Sequence, residues 1–175
     1  MQLLQRLFTK APSGPDPRDS LRPLWHRVVE IARSPELYRD DGVADTVAGR
    51  FDMITAVLSV VLLRMERDRV LGRESALLTE LFVEDMDGQL RESGVGDVVV
   101  GKHVGRLVSV LGGRLGALRD ALRARELGAL EEVLARNVTM AEGRDNADLA
   151  TRLYAFADKV AALDSKALLA GDFVL

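Results

Sequence analysis

The chain contains no cysteine. That excludes disulfides, thiolate metal sites and cysteine nucleophiles, and it fits a reducing compartment. Aromatic residues make up only 5% of the chain, so its core has to be built from aliphatic side chains. A basic excess is missing as well. The formal net charge is −3, which argues against a phosphate-binding protein, although a local basic patch can hide in such a sum. No phosphate-binding loop, dinucleotide fingerprint or nucleophile elbow is present. The glycines of GVGDVVVGKHVG at 94–105 follow no strand. The two histidines, His26 and His103, are far apart and lack ligand-like spacing. The longest apolar run, Met53 to Leu63, is bounded by Asp52 and Arg64. It falls well short of the roughly 20 residues a spanning helix needs.

The chain opens on MQLLQRLFTK without the apolar stretch of a secretory signal. Leu3, Leu4, Leu7 and Phe8 fall on one helical face, with Arg6 and Lys10 beside it. A frayed terminus is the expectation, and contact with an anionic membrane surface is the alternative. Three prolines and a glycine at 9–19 read as a linker. The chain therefore divides into a flexible segment over 1–19 and a helical domain over 20–175.

Helical periodicity fills the rest. Leu21, Leu24, Val28 and Ile31 define a first stripe, opened by a Ser20 cap and stopped at Ser34-Pro35. Pro35 starts a one-turn helix that ends at Gly42. Asp45 is expected to cap a long helix reaching about Arg69, apolar nearly all round and hence surrounded by others. Its one polar line, Asp52, Thr55, Ser59 and Glu66, is expected to face water or a partner. After Gly72, a helix over Arg73–Ser93 turns Leu78, Leu81, Met86 and Leu90 inward. Further helices are expected from about Val98 to Arg123, through Leu127, Leu130 and Leu134, and from Leu149 to Leu163. No alternating run of strand length appears apart from Val98–Val100. The fold class is all-α, a single domain of about six helices.

Two stretches invite a functional reading. In LFVEDMDGQLRESGVGD, at 81–97, a calcium loop started at Asp85 would put Leu90 at its glycine position and Gly96 at its glutamate position, so the register fails. Glu80, Glu84 and Asp87 share a helical face, Asp87 precedes Arg91 by four residues, Gly94 can end the helix and Asp97 can cap the next. The stretch reads as a helix running into a corner. In the helix from Val98, Gly101, Gly105, Ser109, Gly112 and Gly116 lie within a sector of roughly 80°. Interior glycine costs on the order of 1 kcal/mol relative to alanine, so several on one face imply a close neighbour. The ordinary expectation is another helix of the same domain in that groove. The alternative is a partner helix, such as a membrane helix before assembly. Leucines 107, 111, 115, 118 and 122 occupy a separate sector that can face the core.

GVADTVAGRFDMI at 42–54, LFVEDMDGQLRESGVGD at 81–97 followed by VVVGKHV, and ARN at 135–137 resemble the ubiquinol–cytochrome c chaperone family. These are bacterial relatives of the mitochondrial assembly factor for cytochrome b, and the resemblance runs in motif order over roughly 20–170. It implies an all-helical, non-enzymatic chaperone that binds newly made cytochrome b and supports bc1 complex assembly. It also implies action at the cytoplasmic face of the inner membrane, with a small partner protein and no cofactor. Among the motif positions, Gly42 and Gly94 are expected to allow positive φ and Phe51 to lie in the core. Arg50, Asp52, Asp87 and Arg91 carry charge near apolar helices without a local explanation. Together with Gly101, Gly105, Ser109, Gly112 and Gly116 they are the candidate partner-binding residues, although the four charges can equally pair across helices to fix packing. Two other readings stand beside the chaperone. One is a small ligand-binding bundle or enzyme with a pocket lined by Asp52, Asp87 and Arg50; the other is a homodimer joined through the glycine face.

Overall fold

A computed structural model describes residue 14, residues 16–92 and residues 100–175, with side chains described at 14, 16–89 and 105–175. The fold is all-α: α1 Arg22–Ala32, α2 Pro35–Arg39, α3 Val47–Glu66, α4 Gly72–Glu92, α5 Val100–Ala124, α6 Leu127–Asn137, α7 Ala147–Ala162 and α8 Ser165–Ala170. Two of these, α2 and α8, are one or two turns long. The others are the six helices expected, and only the short α8 had no counterpart in the periodicity.

Helix α3 is the axis of the domain. Met53, Val57, Leu58 and Val61 on different sides of it are all buried. It packs against α1, α4, α5 and α7 at once. A helix apolar all round is stable only when enclosed in this way. Amphipathic helices close around it. Leu24, Val28 and Ile31 of α1, Leu78, Leu81, Phe82 and Met86 of α4, and Leu149, Leu153, Phe156 and Val160 of α7 each bury one stripe. Trp25 meets Phe82 edge-on at 6.1 Å, and Phe156 packs at 6.0 Å against Phe173 of the C-terminal segment.

Several expected helix ends shift by one to three residues, and two caps change. The side chain that caps α3 belongs to Thr46, whose Oγ1 accepts from the Gly49 amide at 3.1 Å. Asp45 instead pairs with Arg50. Asp19–Leu21 form a 3-10 turn ahead of α1, and the Ser20 hydroxyl donates back to the Pro17 carbonyl at 3.2 Å, so α1 begins without a side-chain cap. Pro35 does open α2, and Gly42 does take a positive φ of 82°. Gly94, Asp97 and two of the three valines at 98–100 lie outside the described residues. Leu127, which opens α6, is 41% exposed, while Leu130 and Leu134 are buried.

Among the described residues no helix is long and apolar enough to cross a membrane.

Candidate functional site

Three of the four residues on the polar line of α3 turn inward, and the fourth, Glu66, is exposed. Asp52, Thr55 and Ser59 are all buried. The Thr55 hydroxyl donates to the Asp52 carbonyl at 2.8 Å and the Ser59 hydroxyl to the Thr55 carbonyl at 2.7 Å, returning both groups to the helix's own backbone. The Asp52 carboxylate accepts from Arg114 Nη2 of α5 at 2.6 Å. It also accepts from the Thr139 amide at 2.9 Å and the Thr139 hydroxyl at 2.7 Å. The other terminal guanidinium nitrogen, Nη1 of Arg114, donates to Thr55 Oγ1. Phe51 covers the same guanidinium, its ring centroid 5.4 Å away. Lower on the line, Glu66 pairs with Arg119 of α5 at 2.8 Å. The buried part of the line therefore faces α5 and the link that follows α6, where Asp52 finds its partners, while Glu66 meets α5 at the surface.

This cluster explains most of the 42–54 motif. Gly42 to Ala44 lie antiparallel to 139–141: the Ala44 amide donates to the Thr139 carbonyl at 2.9 Å, and the Ala141 amide to the Gly42 carbonyl at 2.8 Å. Gly49 admits the Ala44 carbonyl so closely that a Cβ there would stand 2.1 Å from its oxygen. A second ion pair closes the same junction, from Arg152 of α7 to the buried Asp41. Asn137, from the ARN motif, ends α6 with its side-chain amide donating to the Val133 carbonyl at 2.8 Å. The first motif and the segment just after the third, residues 139–141, meet as a clasp between the α2–α3 and α6–α7 links.

Arg50 and Asp52 have different partners and do not converge. Arg50 is exposed and pairs with Asp45 at 2.7 Å; the hydrogen bond from Arg50 holds the Asp45 carboxyl below its ordinary range. Asp87 is half-buried on α4, and the Arg91 side chain lies outside the described residues. The space beside Asp52 and Arg114 is only about 10 Å³, room for no ligand. No group of three potential metal-binding side chains occurs among the described residues.

The glycine face is open among the described residues. Gly105, Ser109 and Gly112 are exposed and Gly116 is half-exposed. Cβ atoms built at Gly105, Gly112, Gly113 and Gly116 meet nothing within 4 Å among the described residues. Among the described residues no helix lies in that groove. For Gly101 the helical backbone is described and its surroundings are not. Val108, between the small residues, is 46% exposed, while Leu107, Leu111 and Leu118 are buried on the opposite sector. Gly105, Gly112, Gly113 and Gly116 thus lower helix stability without a contact in return among the described residues. Gly112→Ala and Gly113→Ala are expected to raise unfolding free energy by about 0.5–1 kcal/mol each, read from urea titrations. A loss of stability in either would mean that something in the fold occupies the face.

Arg114, Thr139, Asp41 and Arg152 escaped the sequence reading. Arg114 had a signal: positions 107, 111, 114, 118 and 121 form one inward stripe, and a charge on such a stripe demands a buried counter-charge.

The family model for ubiquinol–cytochrome c chaperones matches residues 39–175. Among solved structures, the crystal structure of the Cbp3 homolog from Brucella abortus is similar, with 30% identity and a TM-score of 0.78 over 89% of this chain and 88% of that one. No curated protein matches the sequence.

Proposed function

The chain belongs to the ubiquinol–cytochrome c chaperone family, and from that premise we propose that it holds newly made cytochrome b for bc1 complex assembly, using the open small-residue face of α5. It does so without covalent chemistry, from the cytoplasmic side of the plasma membrane, as a peripheral protein that works with a small partner. The observation that carries this reading is the vacancy over Gly105, Ser109 and Gly112, which nothing in the described fold fills. A helix with small residues on one face lets a second backbone approach closely, which is how apolar membrane helices associate when no hydrophobic driving force is available. An apolar client segment waiting for its complex has the same need. Arg50 and Asp87 remain accessible in whole or part and are further contact candidates. Asp52 serves the clasp instead.

The test is a mild-detergent pull-down of the tagged protein from its native membranes, run beside Gly112→Leu. Cytochrome b is expected to be enriched with the natural chain and lost with the variant, while the far-UV spectrum stays nearly unchanged and the melting temperature does not fall. Equal recovery with both proteins would remove the glycine face from the account. The same face offers a self-interface as a second reading. Sedimentation settles it: a concentration-independent monomer excludes the homodimer.

A further inference from the structure

We propose that a second surface, the arginine-lined cleft between α3, α5 and α7, receives a carboxylate-bearing segment of a partner protein. The cleft is about 650 Å³ and open to solvent. Guanidiniums outnumber carboxylates five to two among its lining, against the sign of the whole chain.

Three of the five arginines are already engaged. Arg64 caps the bundle by donating to the Leu163 carbonyl at 2.7 Å. Arg119 holds Glu66 and Arg125 holds Asp158, at 2.8 Å and 2.6 Å. Arg67 and Arg123 are exposed and have no ion pair among the described residues. Helices α3 and α5 both end at this cleft. The partial negative charge of their last carbonyls favours cations there, so the arginines are tolerated in the absence of a ligand. Arg125 adds a second sign of a maintained arrangement. It stands just past the end of α5 at φ 58°, a position and conformation that favour glycine. Its guanidinium instead stacks 5.7 Å from the Tyr154 ring centroid.

The occupant follows from shape and chemistry. Planar guanidiniums match carboxylates in a bidentate manner, as Arg119 already does here with Nη2 donating to Glu66 Oε1 and Nε to Oε2. The half-buried Leu63, Leu122 and Ala161 supply an apolar floor, which a segment mixing acidic and apolar side chains complements. A flat bilayer does not reach the floor of a concavity, and a net negative chain does not attract nucleic acid from a distance.

The experiment measures binding of a labelled peptide alternating glutamate and leucine, with a glutamine–leucine peptide as control. The natural chain is expected to bind the glutamate peptide, more weakly as salt rises, and to ignore the control. Arg67→Glu with Arg123→Glu should weaken binding by roughly tenfold or more, with melting temperature unchanged; the milder Arg67→Gln with Arg123→Gln should show a smaller loss. Absence of binding, equal binding by the control peptide, or full retention in both double variants overturns the proposal. So does displacement of the peptide by phosphatidylglycerol vesicles or inorganic phosphate at matched charge, which would assign the cleft to a phosphate source.

Discussion

Asp52→Ala is expected to lower unfolding free energy by about 3–5 kcal/mol, the cost of leaving a largely buried charge without its partner. Arg114 would lose its carboxylate inside the α3–α5 contact, where its side chain is only 16% exposed. The Thr139 amide and hydroxyl would lose their acceptor in the same step. Removing both charges should hurt less than removing one. Asp52→Ala combined with Arg114→Met therefore recovers part of the loss, since methionine can pack against Phe51 where the guanidinium lay. Urea unfolding of the two singles and the double supplies the cycle. A loss below about 1 kcal/mol for Asp52→Ala would mean the pair behaves as a solvated surface bridge.

Gly49→Ala is expected to cost about 3 kcal/mol, the upper end of what one added methyl does in a tight site. The new Cβ would stand 2.1 Å from the Ala44 carbonyl oxygen and 3.1 Å from its carbon. That carbonyl has no freedom to retreat: the Ala44 amide is bonded to Thr139 at 2.9 Å and the carbonyl accepts from the Thr46 amide at 2.8 Å. The same substitution at Gly112 is expected to stabilise. One chemical change with opposite signs at two helical glycines separates a glycine needed by the fold from one the fold does not use. Thermal and urea unfolding of the two variants check this, and a neutral Gly49→Ala would contradict the close approach.

Helices, their stripes and the enclosed position of α3 were legible because each rests on a local period. Leu24, Val28 and Ile31, or Leu149, Leu153 and Phe156, need no knowledge of what they touch. The meaning of Asp52 was not legible in that way. A line of Asp, Thr, Ser and Glu on an apolar helix is compatible with solvent, a partner or a buried network. The choice depends on Arg114, more than sixty residues away. Arg114 was readable only as an anomaly on the stripe of Leu107, Leu111 and Leu118. Gly49 and Gly112 likewise look alike in sequence, because only the approach of the Ala44 carbonyl distinguishes them. The motif at 42–54 therefore signalled the family through residues that mainly build its clasp.

The most direct test of the glycine face is a photo-crosslinking amino acid placed at Gly112 and, as a control, at the exposed Asp148 of α7. Both proteins are produced in the native cell and illuminated before lysis. The account predicts a crosslink to cytochrome b from position 112 and none from position 148. Crosslinks to cytochrome b from 148 alone, or only to a second copy of this chain from 112, would contradict it.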